Sequence, residues 1–230
     1  KGDKIALCGK NSANWAITFF ATLSYGAVSV SILNEFDSNS VQFIVDHSDT
    51  KVMFADQNIW NSLDKSKIPN VETVYSLDDF SLLKSDSQGL KEFVSNSSEY
   101  FAKKYEKGFF VNDVSYHADK PEELAVINYT SGTTSSPKGV MIPYRSLWSN
   151  TKYANENVPF VKSGENILCM LPMAHTYGLA FEILNTISLG GNICFLGKSP
   201  TPRVLQDAFK ETKPKLVLVV PLILEKIVTK

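Results

Sequence analysis

The stretch from Tyr129 to Met141, YTSGTTSSPKGVM, constrains this chain more than any other. From Thr130 to Gly139 it carries no bulky apolar side chain. Short, apolar, β-branched runs bracket it: Leu124–Asn128 (LAVIN) before and Val140–Ile142 after. Such runs read as buried strands. A polar loop between two buried strands is aimed by them at one place. The expectation is a hairpin tip.

That tip suits a polyphosphate. Gly132 and Gly139 let the backbone approach a ligand closely. Consecutive N–H groups in such a turn form an anion-binding concavity. Six hydroxyls, on Thr130, Ser131, Thr133, Thr134, Ser135 and Ser136, add donors, and Lys138 adds a charge fixed behind Pro137. Hydrogen bonds to charged groups contribute ~1.5–3 kcal/mol each, so about four or five would hold a nucleotide triphosphate. The pattern is not a Walker A loop, in which Gly-Lys is followed by Ser or Thr and leads into a helix. By composition alone the stretch equally suits a solvated Ser/Thr loop.

The composition is that of a soluble globular protein: 230 residues, 43% hydrophobic, 20% charged. A net charge of −1 implies no general surface for nucleic acid. No apolar run approaches the ~18–20 residues of a membrane span, although peripheral membrane contact is left open. Three scattered cysteines, Cys8, Cys169 and Cys194, suggest reduced thiols and a cytoplasmic setting. No signal peptide is visible. Both ends resemble cuts in a longer protein, which would make the remainder of that protein a partner.

Along the chain, strands alternate with helices. Lys4–Cys8, Ala27–Ile32, Val52–Ala55 and Val71–Tyr75 read as strands. A helix N-capped by Asn14 and running to about Tyr25, one capped at Asp37–Ser40 and a short one near Ile59–Leu63 lie between them. Residues 77–120 are polar and read as a helical surface crossing between two sheets, with His117 in a solvated loop. A second series follows, with strands at Leu124, Asn166, Asn192 and Leu216 and helices near Tyr144, His175, Pro202 and Pro221. The fold class is α/β: two consecutive β/α series forming mostly parallel sheets flanked by helices. The expected division is a first subdomain at 1–120 and a second at 121–230 carrying the loop.

A second informative stretch is Leu171–Gly178, LPMAHTYG, which follows a strand and opens a helix. In open α/β sheets ligands bind outside the carboxyl ends of strands, so both stretches can face one crevice. His175 and Tyr177 supply polar tips there. Taken alone, a histidine placed as His175 is more often a helix-start or core residue than a functional one.

Thr130–Gly139 resembles the phosphate loop of the adenylate-forming (AMP-binding) superfamily, whose pattern is Tyr-Thr-Ser-Gly-Thr-Thr-Gly-x-Pro-Lys-Gly. The departure is Ser135, where the family usually has Gly. Leu171–Gly178 resembles the next family motif, in the form carried by long-chain fatty-acyl-CoA synthetases. The resemblance implies part of the family's large N-terminal domain. It also implies that a carboxylic acid is activated with ATP and Mg²⁺ as an acyl-adenylate and passed to coenzyme A. Thr130, Ser131, Gly132, Thr133, Thr134, Ser135 and Lys138 would hold the ATP phosphates, with Thr133 or Thr134 near the metal. His175 would be the catalytic residue beside the carboxylate and adenylate. His175, Tyr177, Gly178 and Leu179 would line the acyl pocket. Amino-acid-activating relatives place an Asp where this chain has Thr176, so a fatty acid is the expected substrate. An adenylation module for a carrier protein or an aryl or amino acid, and a non-catalytic nucleotide-binding domain, are the alternatives. The family's later Tyr-Gly-x-Thr-Glu stretch and its C-terminal catalytic lysine have no match here. These 230 residues alone are therefore expected to adenylate little.

Overall fold

The computed structural model describes residues 2–118, 120–130, 137–158, 161–198, 200–221 and 224. Through the first half the chain runs β1 (Lys4–Cys8), α1 (Ala13–Tyr25), β2 (Val28–Ile32), α2 (Ser38–His47), β3 (Val52–Ala55), α3 (Gln57–Ser62) and β4 (Thr73–Ser76). Next come β5 (Leu82–Ser85), α4 (Gln88–Ser95), α5 (Ser97–Lys104), β6 (Leu124–Thr130), β7 (Lys138–Pro143) and α6 (Tyr144–Asn157). β8 (Asn166–Cys169) leads into α7 (Thr176–Gly178), a π-helical segment (Leu179–Leu184) and α8 (Asn185–Ser188), which form one rod. β9 (Asn192–Phe195), α9 (Pro202–Thr212) and β10 (Leu216–Val217) follow. The expected α/β class holds.

Seven strands form one sheet in the order β5-β4-β3-β1-β2-β6-β7, and three form another in the order β10-β8-β9. The interior of the large sheet is parallel, while β5 and β7 are antiparallel at its two edges. β6 is hydrogen bonded to β2, so the strands divide between the sheets after β7. The subdomain division at residue 120 is a separate expectation, about folding units.

Side-chain alternation builds two cores. Ala6 and Cys8 of β1, with Val30 and Ile32 of β2, pack under α2 around Val41, Ile44 and Val45. Leu7, on the opposite face, meets Trp15 and Phe19 of α1. The same cluster includes Ile167 and Cys169 of β8 and Leu179 and Ile183 of the π segment, so α1 and that segment tie the two sheets together. β2 reads V-S-V-S-I, which suggests one wet face, yet all five residues are buried. Its two serines satisfy each other, Oγ to Oγ at 3.0 Å.

Three local expectations are corrected. α1 is capped by Ser12, whose side chain accepts from the Trp15 N–H, and not by Asn14. Asn14 instead donates to the Leu77 carbonyl at 2.8 Å, a long-range partner. The segment 77–120 does not cross between sheets: it contains edge strand β5 and joins the large sheet to itself. His117 is not solvated. Its side chain is 19% exposed and Nε2 lies 3.0 Å from Glu123 Oε2. Its ring lies against Gly26, which closes α1 at φ +80, leaving no room for a Cβ. The helix expected at Pro221 falls mostly outside the described residues.

Candidate functional site

β6 and β7 form an antiparallel hairpin in which Thr130 sits opposite Lys138 and Tyr129 opposite Gly139. The expected hairpin form of the stretch is therefore present. Ser131, Gly132, Thr133, Thr134, Ser135 and Ser136 lie outside the described residues. Thr130, which precedes them, and Lys138, two residues after Ser136, are both exposed. Gly139 has a steric reason: a Cβ there would come within 3.1 Å of the Tyr129 ring and 3.0 Å of Ile127. The ring lies across the glycine, and its hydroxyl reaches His47 Nδ1 at 2.8 Å. The tip is thus carried on an edge pair braced from α2.

The second stretch leaves the carboxyl end of β8. His175 is exposed and N-caps α7, its Nδ1 accepting from the Tyr177 N–H at 3.2 Å. That bond places the neutral ring's proton on Nε2. Tyr177 is also exposed, its ring 4.9 Å from that of Phe181. Gly178 and Leu179 point inward. A Cβ on Gly178 would lie 2.5 Å from the Pro172 carbonyl oxygen, so the glycine permits the loop to fold back on the helix. Leu179 belongs to the core shared with Trp15 and Phe19.

Three side chains outside the loop hold it, two of them from distant parts of the chain, and none stood out in the sequence. Asn11, just after β1, donates to the Leu171 carbonyl at 2.7 Å and accepts from the Met173 N–H at 3.0 Å. Asn128, buried in β6 two residues before Thr130, donates to the Ala174 carbonyl. Glu182 accepts from the N–H groups of Met170 and Leu171. Asn128 joins the two stretches directly: the strand that feeds the hairpin tip bonds the residue beside His175. The signals were faint. Asn128 interrupts an apolar strand, and Glu182 occupies an inward position of an apolar helix.

A crevice of about 390 Å³ opens beyond the carboxyl ends of both sheets, with Lys10, Asn34 and Glu35 on one side and Met170, Pro172 and Leu196 on the other. This is where an open α/β sheet takes ligands. The AMP-binding enzyme family matches the chain over residues 1–230. The chain belongs to the AMP-binding enzyme family.

Within this AMP-binding family, similar proteins include long chain acyl-CoA synthetase 5 of Arabidopsis thaliana, 27% identical over 236 residues, covering 100% of this chain and 34% of the relative. Mouse long-chain-fatty-acid–CoA ligase 5 is 27% identical, covering 98% of this chain and 33% of the relative. The chain spans about a third of the length of the curated relatives it matches. Among solved structures, a long-chain-fatty-acid-CoA ligase from Archaeoglobus fulgidus superposes with a TM-score of 0.78 at 20% identity, over 100% of this chain and 42% of that one. The N-terminal domain of FACL13 from Mycobacterium tuberculosis gives 0.77 at 20% identity, over 99% and 52%. The AMP-binding fold extends over the whole sequence. Among the described residues no helix is long and apolar enough to cross a membrane.

Proposed function

We propose that the full-length protein is an ATP-dependent acyl-CoA synthetase acting on fatty acids. One observation carries this reading: Asn128 bonds the Ala174 carbonyl, so the strand feeding the phosphate-type tip is joined to the loop bearing His175. In the first step a carboxylate oxygen attacks the α-phosphorus of ATP. The α–β anhydride bond breaks and pyrophosphate leaves. In the second step the sulfur of coenzyme A attacks the acyl carbon, the bond to AMP breaks, and the thiol proton passes to solvent.

The residues divide the work. Thr130, Ser131, Gly132, Thr133, Thr134, Ser135 and Lys138 grip the β and γ phosphates, positioning them and neutralising charge that moves during transfer. His175 sits beside the carboxylate and presents its Nε2–H as the donor. Tyr177 stands at the mouth of the acyl pocket, and Gly178 and Leu179, both buried, back it from the core side. Mg²⁺, when bound with ATP, neutralises the phosphate oxygens. The described residues contain no cluster of three or more carboxylate, histidine or cysteine ligands. The hydroxyl of Thr133 or Thr134 would be the protein's own ligand to a cation held mainly by the substrate phosphates. Thr176 offers no carboxylate for a substrate ammonium, which favours a fatty over an amino acid. The relatives named as long-chain synthetases support the same class.

The cysteines support a reducing, cytoplasmic setting. All three are free, and burial pushes the Cys8 thiol up to about 12, an inert form. The test of the reaction is pyrophosphate release by purified full-length protein across a panel of carboxylates. Release dependent on ATP and a fatty acid, followed by AMP release on adding coenzyme A, is the expected result. No release with any carboxylate would defeat the reading.

A further inference from the structure

Glu182 occupies a position that packing alone would give to leucine. On its helix Leu179, Glu182, Ile183 and Thr186 form the buried stripe, and Glu182 is 1% exposed. An aliphatic side chain there would avoid taking a charge out of water. The segment Leu179–Leu184 is also π-helical, a rare geometry that concentrates at functional sites. The carboxylate spans two consecutive amides, accepting from Met170 N at 3.3 Å and Leu171 N at 3.1 Å, where the chain leaves β8. Five residues on is His175. The other clamps on the loop, Asn11 and Asn128, cannot ionise, so among these Glu182 is the one that titrates.

We propose that Glu182 is a positioning residue: its ionised carboxylate fixes the Met170–Leu171 backbone and so holds the loop that presents His175. A proton on the carboxyl converts one acceptor oxygen into a donor, and the amides lose part of their anchor. The titratable side chain facing it is the Cys169 thiol, which donates toward it. No described lysine, arginine or histidine shifts its ionisation. Burial pushes the Glu182 carboxyl up to about 7, while the thiol and the two amides pull it down. The two amides hold the ionised form more firmly than the protonated one, so an opening that breaks these bonds while Glu182 stays buried becomes harder as pH rises through neutrality, even though the buried charge lowers the stability of the whole fold. The claim about the loop stands on these contacts, and its consequence for rate rests on the proposed reaction.

The test has two readouts on the full-length protein. The first is hydrogen-exchange protection of the peptide covering Cys169–His175, corrected for intrinsic exchange. In wild type it rises about tenfold between roughly pH 6 and 8, following the ionised fraction of a group titrating near 7. In Glu182→Gln it is flat. Wild-type protection that does not change over this range overturns the proposal without any variant. The second is the pH profile of kcat/KM for pyrophosphate release. Wild type shows an acid limb that Glu182→Gln lacks and Glu182→Asp keeps. If Glu182→Gln retains both the limb and the rate, the residue serves packing only and the positioning role fails. If wild type releases no pyrophosphate from any carboxylate, the reaction fails, and the exchange readout still decides whether Glu182 holds the loop.

Discussion

The two stretches at the candidate site are built in opposite ways. The hairpin tip between β6 and β7 carries its chemistry in consecutive residues and sits on an edge pair whose outer strand is exposed. The loop between β8 and α7 carries little chemistry of its own, yet its backbone is held by Asn11, Asn128 and Glu182 from three separate elements. A loop that meets a substrate with its own amides and hydroxyls carries its recognition in its own sequence. A loop that presents one imidazole must be fixed in advance, because a misplacement of about 1 Å can cost on the order of 10² in rate. On this reading the tip supplies charge and the clamped loop supplies position.

The largest effect expected from that division is at Lys138. The side chain is exposed and forms no ion pair with any described residue, so its removal should leave folding intact. Lys138→Ala in the full-length protein is expected to lower turnover by roughly 10²–10³, the scale of losing one oriented electrostatic donor, with an unchanged melting temperature. A rate within about twofold of wild type would show that the tip works without its charge, and the division of labour would collapse.

The next effect concerns stability and belongs to the clamped loop. The Glu182 carboxyl is raised from 4.5 to about 7 in the folded state, so the folded protein binds the proton more tightly than the unfolded chain. The sign follows: its contribution is fully present below about pH 4.5 and is lost as pH rises toward 7, then stays constant. The loss is on the order of 3 kcal/mol. Subtracting the Glu182→Gln denaturation midpoints from those of wild type, pH by pH, isolates it from other carboxylates. A difference that does not vary between pH 4.5 and 7 would mean the carboxyl is solvated, and the reading of the His175 loop as clamped would lose its strongest support. Above neutrality the fold carries a buried charge that opposes stability, which is the expected pattern where position is selected over packing.

Much of this architecture was legible in sequence because it is local. The β/α rhythm, the Asp37 cap and the two strands around the tip are short-range patterns, and each appears in the fold. β5 was missed because an edge strand reading LLKS has only one neighbour and little apolar signal. Ser12 and Asn14 are both good caps, and only the Leu77 carbonyl, 63 residues away, separates their roles. The joining of the hairpin to β2 is a non-local pairing of the same kind. The three clamps were invisible for a related reason. An asparagine in a strand and a glutamate in an apolar helix read as exceptions until the carbonyl and amides that they satisfy, 46 and 12 residues distant at most, are brought beside them, and Asn11 meets its partner amide across 162 residues.

The smallest effect separates bracing of the tip from placement of the loop. The Tyr129 hydroxyl meets His47 Nδ1 at 2.8 Å, which links the strand feeding the tip to the end of α2. Tyr129→Phe removes that bond and keeps the ring that covers Gly139. The expected cost is about 0.5–1.5 kcal/mol, the usual worth of one such bond, seen as a lower melting temperature. Because Asn128 rather than Tyr129 bonds the His175 loop, exchange protection of Cys169–His175 should be unchanged. A loss of protection there would mean that the brace behind the tip also sets the loop. The two stretches would then be one mechanical unit, with Asn128 as their rigid coupling rather than a point of contact between independent parts.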